Sequence, residues 1–269
     1  MRRTYMKKGI SFFWGFKSDP GERAKMLSKI GFDNVITNAD NKFNKQNGKI
    51  SKQIKWFKQC NLGISTLHMR YNSKDLPWFW TEGKMGNWME KRLAKDIKVA
   101  HKYGIKHVVT HVRGIPSQAG LDRLNRLLKL CEKYNVNLAI ENTENTACFM
   151  YVFKNISHKH LRMCYDVGHN HCFNPEIDYF KDFGDKIVCL HLHDNDGTRD
   201  AHTLNKYGNI DWDKVAQDLA GINFKGSLDY ELLCPSGDET CEEVAREVYK
   251  QACNLDKLIQ KYKKELKNK

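Results

Sequence analysis

No apolar run in this chain approaches the roughly 18 residues that a membrane-crossing helix requires. The short apolar run Ile10–Phe16 near the N-terminus ends in Lys17 and Asp19, and no signal-peptide pattern follows it. A membrane partner is therefore not expected. The chain also has no C-x-x-C pair. Its nine cysteines are odd in number and scattered, and Cys164 and Cys189 sit inside apolar runs where a thiol behaves as a small hydrophobe. That usage fits a reducing, cytoplasmic setting rather than a disulfide framework. A linker or compositional break is missing too, so residues 1–269 read as a single domain, with enough apolar content (41%) for one large core.

Acidic residues are the minority charge, 32 against 45 Lys and Arg, for a net charge of +13. Such a balance permits a polyanionic partner. The excess is dispersed, however. Lys42, Lys45, Lys49, Lys52, Lys55 and Lys58 mark solvated faces and loops, and the tail from Lys257 to Lys269 is a further run.

Short β-rich runs alternate with amphipathic helical runs along the whole chain. Strands are expected at Lys8–Trp14, Asn34–Thr37, Gly63–Met69, Lys106–Val112, Asn137–Glu141, Arg162–Asp166, Lys186–His193 and Gly226–Leu232. Helices are expected at Glu22–Ile30, Ile50–Cys60, Asn87–Tyr103, Ala119–Tyr134, Thr146–Lys154, Pro175–Phe183, Trp212–Ala220 and Thr240–Tyr262. Eight strand–helix units with short connections over this length predict an α/β fold, a single (β/α)8 barrel. The longest loop, Tyr71 to Gly86, carries Pro77, Trp78, Phe79 and Trp80 and reads as a lid.

In such a barrel the active site lies at the C-terminal ends of the strands. Six successive strands, the third to the eighth, end in His68, His111, Glu141, Asp166, His191 and Glu231. Strand parity agrees: Ile140, Tyr165, Leu190 and Tyr230 face the helices, while Ala139, Cys164, Cys189 and Asp229 share the inward face with these six. A lone His or Asp at a strand end is commonly a cap. Several carboxylates placed side by side at one rim are strongly unfavourable unless a cation neutralises them. The stretch from Val188 to Trp212 adds His193, Asp194, Asp196, Asp200 and His202, and His169 follows three residues after Asp166. Mixed imidazole and carboxylate donors suit zinc or manganese better than calcium.

The run L-H-L-H-D-N-D-G-T-R-D-A-H-T-L with G-N-I-D-W after it, together with C-Y-D-V-G-H-N-H-C-F and L-A-I-E-N, resembles the sugar phosphate isomerase/epimerase group. That group belongs to the xylose isomerase-like barrel superfamily, which also contains endonuclease IV, inosose dehydratase and ketose 3-epimerases. By resemblance to the epimerases, one Mn-type ion is held by Glu141, Asp166, His191 and Glu231. Glu141 and Glu231 would then exchange protons on opposite faces of one sugar carbon through an enediolate. His193 and Arg199 would bind substrate hydroxyls or a phosphate, and Trp14, with Phe12 and Phe16, would stack on a sugar or plug the barrel mouth. The expected substrate is a sugar or sugar phosphate.

Endonuclease IV is the alternative. By type, the chain matches all nine ligands of its three zinc ions: His68, His111, Glu141, Asp166, His169, His191, Asp200, His202 and Glu231. That resemblance implies Glu141 bridging two metals, a third held by His169, Asp200 and His202, and DNA at an abasic site as substrate. Against it, the segment after His68, M-R-Y-N-S-K-D-L-P-W-F-W, is longer and more aromatic than the endonuclease turn. The expected cofactor is thus one to three divalent ions, zinc or manganese. Dehydration of a polyol uses the same parts. Arg246, Tyr249 and the Lys-rich last helix would cover the barrel or meet a second subunit in a homo-oligomer.

Overall fold

Alternation of strand and helix along the chain closes into one parallel sheet. The computed structural model describes residues 5–13, 18–40, 45–70, 72–232 and 240–268. Trp14 and Phe16, expected to stack on a sugar or plug the barrel mouth, lie outside the described residues. Eight strands stand in the order β7-β6-β5-β4-β3-β2-β1-β8: β1 Lys8–Ser11, β2 Asn34–Asn38, β3 Gly63–His68, β4 His107–Thr110, β5 Asn137–Glu141, β6 Leu161–Asp166, β7 Ile187–His191 and β8 Leu228–Tyr230. Parallel pairing joins β1 to both β2 and β8. Between β7 and β8 the Leu192 amide donates to Asp229 O (2.9 Å) and the Glu231 amide to Leu192 O (3.0 Å). These two bonds, at the bridge between Leu192 and Tyr230, bring the barrel close to closure.

The helices that cover it are α1 Pro20–Ile30, α2 Ile50–Gln59, α3 Lys84–Lys102, α4 Gln118–Tyr134, α5 Thr146–Asn155, α6 Val167–Phe173, α7 Tyr179–Phe183, α8 Trp212–Gly221 and α9 Cys241–Lys267. Their ends follow local chemistry. Asp19 caps α1 ahead of Pro20, and Gly31 stops it at φ 116°. Ser117 opens α4 and Asn135 closes it in the left-handed region. Thr240 and Glu243 form a reciprocal capping box on α9.

Side-chain parity divides the core as expected. Val109, Ala139, Cys164 and Cys189 form a small cluster of their own inside the barrel. Ile140, Tyr165, Leu190 and Tyr230 belong to the larger core under the helices. The interior layer beneath the rim is therefore narrow and made of small side chains, which lets the long polar side chains above it converge.

Several boundaries differ from expectation. Strands β4, β7 and β8 are shorter, so His111 and Glu231 lie one residue past their strands and His193 two residues past β7. Residues Pro175–Ile177 are not helical, because Asp178 caps a helix that starts only at Tyr179. Helix α6, right after β6, was not foreseen.

The aromatic segment after β3 is a built element, with a 3-10 turn at Leu76–Trp80. Trp80 is buried beside Phe79 and Tyr151, ring centroids 5.7 and 6.4 Å away. The Ser117 hydroxyl donates to Trp80 O, and Arg123 Nη1 donates to Phe79 O (2.8 Å). A Cβ at Gly120 would run into the Trp80 ring, so glycine there lets α4 approach the indole. Trp80→Ala is expected to lower stability by about 3–5 kcal/mol, the usual range for emptying a buried aromatic site. Urea titration of the variant measures this, and a midpoint equal to wild type would contradict it.

Candidate functional site

The strand ends, the first turn of α6 and the loop after β7 bring nine donors into one contiguous polar cluster. Carboxylate Glu141, from the end of β5, sits at its centre. Its Oε2 lies 3.5 Å from His68 Nε2 and 3.1 Å from His111 Nε2. Its Oε1 lies 3.2 Å from His191 Nδ1 and 3.3 Å from His169 Nδ1. Glu231 Oε2 approaches the same His191 Nδ1 at 3.1 Å. Further out, Asp200 Oδ2 is 3.2 Å from His169 Nε2 and Oδ1 is 3.1 Å from His202 Nε2.

Besides a thiol-containing set of Glu141, Cys164 and His191, three imidazole–carboxylate donor groups with a ligand-like spread emerge among the described residues: His68, His111 and Glu141; Glu141, Asp166, His191 and Glu231; and His169, His193, Asp200 and His202. Within each, the donor atoms all lie within 4.8 Å of one another. All nine residues expected from the sequence as ligands fall in these groups, and His193 joins them.

Backbone contacts orient the rings. His68 Nδ1 meets Met69 O (3.0 Å), His169 Nδ1 meets Asn142 O (2.9 Å) and His202 Nδ1 meets Glu231 O (2.8 Å). Each carbonyl fixes Nδ1 as the protonated nitrogen and turns the Nε2 lone pair inward, as metal-binding histidines are commonly held. Asp166 is doubly used, since its Oδ1 also accepts from the His169 amide (2.6 Å) as the N-cap of α6. That cap places His169 on the first turn, facing the cluster.

Electrostatics match a site built around positive charge. Burial pushes the Glu141 carboxyl up, but the His191 and His111 imidazoles outweigh it and hold it well below the usual carboxylate range. For Glu231 burial is likewise outweighed, chiefly by His191, leaving it at about 2. Burial lowers His191, yet the Glu141 and Glu231 charges raise it well above an ordinary imidazole. His169 is raised in the same sense, with Asp166 foremost among the groups that overcome its burial.

Even so, the pairing is incomplete. Glu141 Oε1, both ring nitrogens of His191, His193 Nδ1 and Asp200 Oδ1 are buried with no hydrogen-bond partner. Buried polar atoms are rarely left this way. Short contacts that are not aligned as hydrogen bonds, between carboxylates and imidazole nitrogens, are what a divalent cation would resolve. The residues therefore fit such an ion.

The other residues singled out from the sequence divide sharply. His193 is fully buried, with Nε2 3.0 and 3.1 Å from the two Asp166 oxygens. It thus faces Asp166 within the donor cluster. Arg199 is exposed on the loop beside Asp200. Asp194 is structural: it accepts from the Trp212 indole (2.6 Å) and the Ile210 and Asn195 amides (3.1 and 2.9 Å). Asp196 is exposed and closes a turn with Thr198. Asn142, which closes the run L-A-I-E-N, exchanges two 2.8 Å hydrogen bonds with the Asp166 backbone and so fixes β5 against β6 at the site. A cavity of about 1500 Å³ opens at the opposite, N-terminal end of the barrel, beside Thr66, Cys189 and Asp229, away from this chemistry.

A near-closed parallel barrel with imidazoles and carboxylates converging at its C-terminal rim defines a class: an α/β barrel whose rim residues could hold a divalent metal. The family model described as xylose isomerase-like TIM barrel matches residues 27–255, and the chain belongs to that family. It is similar to the Sinorhizobium fredii protein y4fM, 32% identical over 108 residues, which are 38% of this chain and 35% of that protein. The chain thus spans only about a third of that relative's length. Among solved structures, a D-tagatose 3-epimerase-like protein superposes with a TM-score of 0.76 at 19% identity, covering 97% of this chain and 100% of the other. The IolI protein with a bound zinc atom gives 0.76 at 18% identity, covering 96% and 99%. At such identities these two likenesses concern the fold. No helix among the described residues is long and apolar enough to cross a membrane.

Proposed function

We propose that the chain is a divalent-metal-dependent isomerase or epimerase of a sugar or sugar phosphate, with Glu141 and Glu231 as its proton-transfer pair. One observation carries this reading. Glu141 Oε1 and Glu231 Oε2 come from strands β5 and β8 and converge on the same His191 nitrogen at 3.2 and 3.1 Å. Two ionised carboxylates therefore straddle one point at the barrel mouth. One can remove the proton from a carbon beside a carbonyl, the electron pair moving into the carbonyl to give an enediolate. The other, once it has taken a proton from solvent water, can deliver that proton to the opposite face and invert the centre. When bound, a zinc or manganese ion would supply Lewis acidity at the carbonyl and neutralise the crowded carboxylates. His191 and Asp166 hold the central donor set, while the exposed Arg199 supplies a cation suited to a substrate phosphate. The likeness to a tagatose-epimerase-like barrel and to zinc-binding IolI supports the choice.

One observation favours a second reading, an endonuclease IV-like zinc phosphodiesterase acting at abasic sites: the three donor groups are contiguous, and two of them share Glu141. A single experiment separates the two. Metal-loaded protein is incubated in deuterated water with a panel of ketoses and their phosphates, and separately with a duplex bearing an abasic site. Deuterium incorporated at the carbon beside the carbonyl, with formation of the epimer or isomer, is the expected result. Rapid strand incision without any exchange would overturn the first reading.

A further inference from the structure

We infer that the N-terminal mouth of the barrel is a second binding site, for a small hydroxyl-bearing organic molecule that carries two or more phosphate groups. Its existence does not depend on the reaction proposed for the opposite rim.

Positive charge accumulates there in a fixed pattern. From Lys257 to Lys267 the end of α9 has five lysines and a single acid, Glu265. Lys257, Lys261 and Lys264 follow the i, i+4, i+7 spacing that places side chains on one helix face, and Lys263 and Lys267 stand beside them. All five line the cavity of about 1500 Å³, as does Lys225 from the loop before β8, whereas Glu265 does not. Among the described residues none of these six lysines is ion-paired with a carboxylate. The two carboxylates of the cavity are engaged elsewhere. Asp256 holds Lys8 Nζ and the Met6 amide, both at 3.2 Å, and Asp229 is buried inside the barrel against the Ser227 and Ser65 hydroxyls.

Like charges gathered around a concavity repel one another and concentrate anions there. The effect is felt at Lys263. Burial and the neighbouring Lys225 and Lys267 charges pull its ammonium below the ordinary lysine value, and its Nζ donates to Phe224 O (2.7 Å). Lysine binds phosphate as a point charge, without the fixed fork of arginine, so a flexible set of them suits phosphates in more than one position.

Shape selects a small ligand. A nucleic-acid strand tracks along an open positive groove, whereas these lysines border a cavity whose other wall is formed by the starts of strands. Asn34, Ser65, Thr66 and Ser227 line that wall, and Thr66 Oγ1 is buried there with no hydrogen-bond partner. The volume exceeds the about 300–1,000 Å³ of an ordinary small-molecule site. It has room for a hexose bisphosphate, with hydroxyls toward the polar wall and phosphates toward α9.

Glucose 1,6-bisphosphate tests the site, because its blocked anomeric carbon offers no carbonyl to the carboxylates at the other end. Binding to the metal-loaded full chain is followed by calorimetry at about 0.15 M salt, where attraction between exposed charges is largely screened. Saturable binding of one probe per chain is expected. The triple variant K257Q/K261Q/K264Q should weaken it at least about tenfold, as loss of charge-assisted contacts would. K52Q/K55Q/K58Q removes the same charge from the exposed face of α2 and should leave binding unchanged. Bound probe should also protect Lys257, Lys261 and Lys264 from acetylation, and methyl glucoside should not bind. Absence of saturation at millimolar probe overturns the proposal, and so does equal weakening by the two triple variants, which would reflect net charge alone. Weakening by Arg199→Gln but not by the α9 variant would move the probe to the opposite rim. A short single-stranded DNA that binds more tightly than the probe through the same lysines would make the surface a nucleic-acid contact instead.

Discussion

Replacing Glu231 by Gln is expected to lower turnover on the responsive sugar by about 10²–10⁴-fold, the usual contribution of a positioned acid or base, while the barrel stays folded. Glutamine keeps the shape of the side chain and can still ligate through its amide oxygen, but it cannot take up a proton. The native carboxyl is ionised at neutral pH, held at about 2 chiefly by His191 against the effect of burial. It is thus a standing proton acceptor. Glu231 is the cleaner test of the pair, because Glu141 also contacts His68, His111 and His169. Loss of Glu141 would disturb two donor groups at once. Circular dichroism and metal content measured on the same sample separate a chemical defect from a structural one. If kcat of a folded, metal-replete E231Q protein matched wild type, Glu231 would not be a proton-transfer residue.

Much of this architecture was visible in the order of residue types. Alternating strand and helix signals at short spacing leave few solutions besides a parallel barrel. Period-2 alternation then places His68, Glu141, Asp166 and His191 at one level with their side chains inward. Cys164 and Cys189 read as interior from the same parity, and they lie in the small inner cluster.

What stayed hidden depended on contacts between distant segments. Helix α6 has no apolar stripe: V-G-H-N-H-C-F contains a glycine and polar residues of poor helical propensity. It forms because Asp166, which reads as a rim donor, also caps it. The position of His193 depends on the missing side chain of Gly168 across the site, a relation that spacing along the chain does not encode. Asp194 and Asp200 look alike in sequence. Only the fold turns one to the Trp212 indole and the other to the imidazoles. Strand ends were overestimated at β4, β7 and β8 because the apolar pattern continues past the last ladder hydrogen bond.

Removing the cation should destabilise the protein, and more so in mild alkali than in mild acid. Without it, imidazoles act as the counterions. His191 and His169 are raised well above the ordinary value, and Glu141 is held well below its own. A raised imidazole contributes stability that is fully present below its unfolded value, about 6.5, and is lost as pH rises through the folded value. A depressed carboxyl contributes stability above about 4.5 that is lost as pH falls through its folded value. The metal-free cluster is therefore best satisfied at mildly acidic pH, where both conditions hold. A bound cation must displace the imidazole protons, so its affinity rises with pH. Ligand present at about a hundred times its dissociation constant stabilises by about 2.7 kcal/mol, which at roughly 2–4 °C per kcal/mol for a chain of this size is about 5–10 °C in Tm. Chelation is accordingly expected to lower Tm by that amount near pH 8 and by clearly less near pH 6, with zinc restoring it. Calorimetric titration of zinc in buffers of different ionisation enthalpy should show proton release. A melting temperature indifferent to chelator at both pH values would mean that the clustered carboxylates are neutralised by the imidazoles alone.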